Sequence, residues 1–231
     1  MTEQKNASRL VGVLYFAMAG LAAMGLTFFP SHFIVPRDPA ATVARIESAT
    51  TYFRLWALAD LVSGVLSMWL GIAMYRLFKD VDRSWARFLA GILFVMPAMY
   101  FAVMLLQLAP LTILNGADYW SAFSRDQLVA LANGFLSMRQ QAVGAVSAYW
   151  GIWLIPVAAL TYKSGFLPRL IGVLLGVAAI AYIVSAIVFF VAPSSYRIVF
   201  WAAAPLYGAG EVTFISYVLV KGVRQPRMSA A

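Results

Sequence analysis

The sequence predicts an all-α fold: a polytopic membrane helical bundle with six transmembrane helices. Three observations carry this reading. The 231 residues are 63% hydrophobic and only 11% charged, with a mean hydropathy of +0.82. Six separate stretches are each long and apolar enough to cross a hydrocarbon core of about 30 Å, which takes about 20 helical residues. Lys and Arg collect near the ends of those stretches. A soluble domain carries roughly a quarter charged residues, so too little polar side chain is present to clothe a water-facing surface. A soluble enzyme, a nucleic-acid-binding module and a disordered chain are excluded on that ground.

Residues 1–231 read as a single transmembrane domain. The first span covers 10–29 and stops at Pro30. Its apolar run exceeds a secretory signal core, so it is expected to remain as an uncleaved span. The second covers about 55–77 and contains Asp60, the third 88–111, and the fourth about 142–162. The fifth covers 170–191 and is closed by Pro193; the sixth covers 198–220 and contains Glu211. Between the first two spans, Asp38 is a good N-cap and Pro39 suits the first helical position. They predict a short helix through about Ser48, lying on the outer surface. Before the fourth span, Ser124-Arg125-Asp126-Gln127 reads as a capping box. A helix from there to Tyr162 would be about 57 Å long at 1.5 Å per residue. The fourth helix must therefore extend outward or bend.

The net charge of +8 comes from 17 Lys and Arg against 9 Asp and Glu. The tails and the second and fourth loops hold Lys5, Arg9, Arg76, Lys79, Arg83, Arg87, Lys163, Arg169, Lys221, Arg224 and Arg227. The opposite side holds the other six: Arg37, Arg45, Arg54, Arg125, Arg139 and Arg197. The positive-inside bias then places both termini in the cytoplasm, in a bacterial inner membrane. Membrane orientation accounts for the basic residues, and no nucleic-acid partner is implied. The expected partners are membrane lipids, a hydrophobic or lipid-like ligand, and a second copy of the chain in a homo-oligomer.

Rare residues narrow the chemistry. With no Cys there is no disulfide, thiol nucleophile or thiolate metal site. The one histidine, His32, sits beside Ser31 in a predicted loop, where a surface role outweighs a Ser–His dyad. Neither a metal nor another cofactor is implied. The Arg9–Leu14 run is echoed by Arg169–Leu174, each before a span bearing one carboxylate, and chance similarity outweighs duplication as its cause.

A charge at the bilayer centre costs on the order of 2.5–3.5 kcal/mol on insertion scales. Asp60 and Glu211 are therefore the informative residues, and both occupy small or polar faces. Asp60, Ser63, Gly64, Ser67 and Gly71 share one side of the second span, and Glu211 follows Tyr207 by one turn beside Gly208 and Gly210. Asp60 and Glu211 are expected to face a shared interior. The residues that could line it with them are Arg54, Tyr100, Gln107, Arg139, Gln140, Tyr182, Ser185 and Tyr207. Arg139 suits pairing with Asp60. Trp56, Trp120, Trp150 and Trp201 read as interface belts or packing, and Asp80 and Asp82 as solvated loop residues.

Several stretches carry a family resemblance. They are Gly116-Ala117-Asp118-Tyr119, Asp126-Gln127-Leu128, Tyr149-Trp150-Gly151-Ile152-Trp153-Leu154-Ile155-Pro156 and Tyr162-Lys163-Ser164-Gly165-Phe166-Leu167-Pro168-Arg169. With Phe53-Arg54-Leu55, Asp60 and Gly210-Glu211, the chain resembles the bacterial integral membrane family catalogued as domain of unknown function 4386. The resemblance covers nearly the whole chain. It implies a helical membrane protein and supplies no reaction. Members often carry a histidine near Met138-Arg139-Gln140-Gln141; this chain has none there.

Three functions fit this inventory. The first is binding or transport of a small molecule, lipid or proton through a polar pocket lined by intramembrane carboxylates. The second is an intramembrane acid–base enzyme acting on a lipid or isoprenoid, with Glu211 and Asp60 as catalytic carboxyls. The third is a structural accessory subunit.

Overall fold

A computed structural model describes residues 2–223, with side chains from Asn6 onward. Arg224 and Arg227, counted above, lie outside the described residues, as does the side chain of Lys5. Helix α1, Thr2–Ala23, runs through a π-helical turn, Met24–Phe28, into α2, Phe29–Phe33. Helix α3 is Pro39–Ser48, α4 Thr50–Phe78 and α5 Arg83–Ile113. A 3₁₀ turn, Asp118–Trp120, precedes α6, Arg125–Lys163; then come α7, Arg169–Val191, α8, Pro193–Ala202, and α9, Ala204–Val220. Among the described residues there is no strand.

Five segments are long and apolar enough to cross a membrane: Asn6–Phe33, Thr50–Phe78, Arg83–Ile113, Arg125–Lys163 and Arg169–Val191. The sixth departs from expectation. In place of one continuous span over 198–220, α8 and α9 meet at a 45° bend. Pro205 explains the break. It has no N–H to offer the carbonyl four residues earlier and is tolerated only in the first turn of a helix, where it stands in α9. Leu10, Phe16, Trp69, Phe94, Ile180, Phe190 and Ile198 are exposed on the outer faces. So much apolar surface is what lipid-facing helices present.

The anticipated caps form. The Asp38 side chain accepts from the Ala41 N–H at 2.8 Å with Pro39 in the first turn, and α3 ends at Ser48. At the start of α6 the Ser124 N–H donates to Gln127 Oε1 at 2.8 Å, and the Gln127 N–H donates to Ser124 Oγ at 3.3 Å. This reciprocal pair fixes the helix start well before the apolar run. Its 39 residues make about 58 Å of helix at 1.5 Å per residue. Asp82 is more engaged than a solvated loop residue. It accepts from the Trp85 N–H and from Lys163 Nζ at 3.0 Å, which together hold its carboxyl below the usual carboxylate range.

The chain divides into two compact units whose boundaries fall inside helices. One unit comprises residues 18–65 and 97–143. Its core gathers Phe29, Phe33, Ile46, Phe53, Trp56 and Leu136. The other comprises, among the described residues, 2–17, 66–96 and 144–223. There α9 packs on α7 at very short range. A Cβ at Gly210 would come within 2.8 Å of the Leu174 carbonyl oxygen and 3.0 Å of the Ala178 methyl, whereas one at Gly208 would meet nothing. Only a bare Cα permits that approach. Gly210→Ala is therefore expected to destabilise the protein by about 1–3 kcal/mol through overpacking, while Gly208→Ala leaves it unchanged. Thermal melting of the two variants in one detergent checks this; equal melting temperatures would refute it.

Candidate functional site

Asp60 sits one turn after Trp56 on the face of α4 that also carries Ser63 and Gly64. Small groups on that face let neighbours in. The Ser63 hydroxyl donates to the Met18 carbonyl at 3.0 Å, and the Gly64 backbone lies against Tyr100 and Pro97 of α5. Into this setting α6 delivers Arg139. Its Nη2 donates to Asp60 Oδ2 at 2.7 Å and its Nε to Gln107 Oε1 at 2.6 Å, while its Cζ lies 4.3 Å from the centre of the Trp56 ring. The guanidinium thus meets a carboxylate and an amide in its plane and an indole on its face, a fit that Lys cannot reproduce. The side chains of Arg139 and Asp60 are only 7% and 6% exposed, so this is a dry ion pair. Because Gln107 turns its oxygen to Arg139, its Nε2 is left buried with no partner.

The π-helical turn belongs to the same cluster. The Trp56 Nε1–H donates to the Gly25 carbonyl at 3.1 Å, within the π-turn. A Cβ at Gly25 would collide with Asp60 Oδ1, so residue 25 has to be glycine for the carboxylate to sit where it does. Single-turn π-bulges inside α-helices recur at functional sites.

Glu211 has different company. The Tyr15 hydroxyl of α1 donates to its Oε2 at 2.8 Å, and the Tyr182 hydroxyl of α7 to its Oε1 at 2.9 Å. The Tyr182 ring stacks on Tyr207 with centroids 3.8 Å apart and planes 4° from parallel. The Tyr207 hydroxyl shares a 2.7 Å hydrogen bond with Ser185 Oγ. Tyr15 meets Trp153 edge-on at 5.0 Å, and Trp150 meets Tyr182 at 5.7 Å. Glu211 itself is half-buried. Among the described residues no cation pairs with it; the ion pairs there are Asp60–Arg139, Glu47–Arg125 and Asp82–Lys163.

Asp60, Arg139, Gln107 and Tyr100 belong to one compact unit, and Glu211, Tyr182, Ser185 and Tyr207 to the other. Each carboxyl is answered by side chains of its own unit. Arg54 is exposed and joins neither set. Gln140 is exposed too; it lines a surface cavity of about 200 Å³ with Arg37, Asn133 and Ser137. No dyad forms at His32: the Ser31 hydroxyl donates to the Phe28 carbonyl, and the imidazole packs edge-on against Phe33 and Tyr52. Sequence reasoning missed Tyr15 and Trp153, and it assigned Trp56 to packing or an interface. Trp56 is fully buried and also carries the cation. Its spacing of four from Asp60 was the available clue; nothing marked Tyr15 among the other span aromatics.

Long apolar helices with lipid-suited outer faces and a dry ion pair inside define a multi-pass helical integral membrane protein. Within that class the chain belongs to the family described as domain of unknown function (DUF4386), whose sequence profile matches residues 10–222. No curated protein and no solved structure matches it.

The dry ion pair makes a clear energetic prediction. Removing one partner strands a buried charge, at a cost of about 3–5 kcal/mol, whereas removing both relieves most of it. Asp60→Leu and Arg139→Met are each expected to lower the melting temperature steeply, and the double variant to recover. Additive losses in the double variant would contradict the pairing energy argued here.

Proposed function

We propose that the protein binds or transports a small molecule, lipid or proton at polar sites built on its intramembrane carboxylates. One observation carries this reading: Glu211 sits in an apolar helix with two phenol donors and no cation partner among the described residues. A carboxylate in hydrocarbon is expensive unless its charge is met. Asp60 is met by the chain's own Arg139. For Glu211 the counter-charge has to come from outside, as a proton or a bound ligand. Intramembrane acids of this kind commonly lie on ion and proton pathways.

A second reading has its own support. The hydroxyls of Tyr15 and Tyr182 touch the acid, and their rings pack on Trp153 and Tyr207. A carboxylic acid beside aromatic faces can protonate an alkene or epoxide and steady the carbocation that follows. An acid-catalysed enzyme acting on a lipid or isoprenoid substrate is therefore the alternative. An accessory subunit without ligand is the third reading and has no particular observation in its favour. Native mass spectrometry with lipid analysis separates the first two: a molecule recovered unchanged favours binding, a rearranged product favours catalysis.

Glu211→Gln keeps the shape and the capacity for hydrogen bonding but cannot exchange a proton. Function is expected to be lost in Glu211→Gln and Glu211→Leu alike, and retained in Glu211→Asp. Loss in Leu with full activity in Gln would make Glu211 a structural cross-link and remove both readings.

The basic residues support a bacterial inner-membrane location with both termini cytoplasmic. Alkaline phosphatase fused after Ala231 is then expected to be inactive in cells. An active fusion would reverse the orientation.

A further inference from the structure

We infer that Glu211 and the aromatic rings around it form a binding site for an organic cation of the alkylammonium type. The inference rests on the proposed role of Glu211 as a carboxylate whose counter-charge comes from outside, and it names the chemistry of that counter-charge.

At Asp60 the chain shows how it satisfies an acid inside an apolar helix: a cation at 2.7 Å that also lies 4.3 Å from the centre of an indole ring. Carboxylate, aromatic face and cation together make one recognition unit. At Glu211 a carboxyl again stands among aromatic residues, here reached through phenol hydroxyls. Tyr15 and Tyr182 each touch the carboxyl directly through their hydroxyls. Their rings lead into Trp153 on one side and into Tyr207 and Trp150 on the other. Aromatic faces attract a cation within about 6 Å of the ring centre. Among the described residues no cation pairs with Glu211; Lys221 lies over Tyr217 at 5.2 Å and Arg169 over Tyr162 at 5.6 Å.

The chemistry of this wall selects the kind of cation. A hard metal ion takes about six oxygen ligands. Here one carboxyl and phenolic hydroxyls stand among ring carbons, which suits a charge clothed in alkyl groups. Such a cation is also the kind that reaches a half-buried acid through apolar surroundings. A free amphiphilic ammonium and the ammonium headgroup of a lipid share this chemistry.

The test uses the full-length protein in nanodiscs, with benzyltrimethylammonium as the probe and neopentylbenzene as its uncharged isostere, read by calorimetry. Saturable binding of the ammonium is expected, weakened at least about tenfold by Glu211→Gln, a change of about 1.4 kcal/mol. The isostere should show no dependence on Glu211. Tyr182→Phe, which keeps the ring, should bind more tightly than Tyr182→Leu; this comparison decides the matter if Glu211→Gln does not fold. Equal binding by wild type and Glu211→Gln, or by the two Tyr182 variants, overturns the inference. Ammonium binding weakened in phosphatidylcholine relative to phosphatidylglycerol nanodiscs would support the site and assign its natural cation to a lipid headgroup. Unchanged binding would support a free cation. Infrared difference spectra of the carboxyl keep the two proposals distinguishable. A Glu211 band that responds to pH without any ammonium binding overturns the organic-cation site and leaves the proton reading standing.

Discussion

A charge carried inside a helix of hydrocarbon length has no water to turn to, so its counterpart must come from another helix or from a ligand. This requirement explains features of the fold that hydropathy alone does not. Arg139 lies ahead of the apolar run that marks the fourth span, 14 positions after Arg125. A helix beginning only where hydropathy rises would leave it in a loop, with no fixed direction. The capping box at Ser124 and Gln127 starts α6 early, so Arg139 projects from a regular helix with a set azimuth. Its guanidinium can then meet Asp60, Gln107 and Trp56 together. The length of α6 is in this sense a consequence of where Asp60 needs its partner.

The same requirement is met in two chemically distinct ways within one chain. Asp60 is enclosed by a full ion pair whose remaining contacts are an amide and an indole, with aromatic packing from Phe29, Phe33 and Phe53 around the tryptophan. Such an arrangement is rigid, since disturbing one member exposes another to an apolar surround. Among the described residues Glu211 has neutral donors, with a ring stack next to one of them. Phenols can swing aside without stranding a charge of their own. Of the two acids, Glu211 is therefore the one suited to change its partner.

Much of the fold was legible in the sequence, for identifiable reasons. Span positions follow from apolar length, which the bilayer fixes, and cap positions follow from Asp38-Pro39 and Ser124 to Gln127, whose chemistry is local. The pairing of Arg139 with Asp60 was also readable, because few residues can neutralise a buried aspartate. What escaped depended on contacts distant in sequence. Tyr15 and Glu211 are 196 positions apart, and no local pattern announces their meeting. The break at Ala203 was overlooked because composition across 198–220 stays apolar while Pro205 interrupts the backbone alone. The π-turn at Met24–Phe28 was equally silent, as hydropathy does not register a change of helical pitch.

That turn has an effect on register along α1 and α2. Widening one turn of an α-helix accommodates one additional residue, and each residue of an α-helix turns the chain by about 100°. Shortening the segment 24–28 by one position would restore ordinary pitch and rotate everything beyond it by that angle. Phe29 and Phe33 would then swing away from Trp56, and the Gly25 carbonyl would no longer face the indole N–H. The widened turn thus sets the azimuth at which Phe29 and Phe33 meet the tryptophan beneath Arg139.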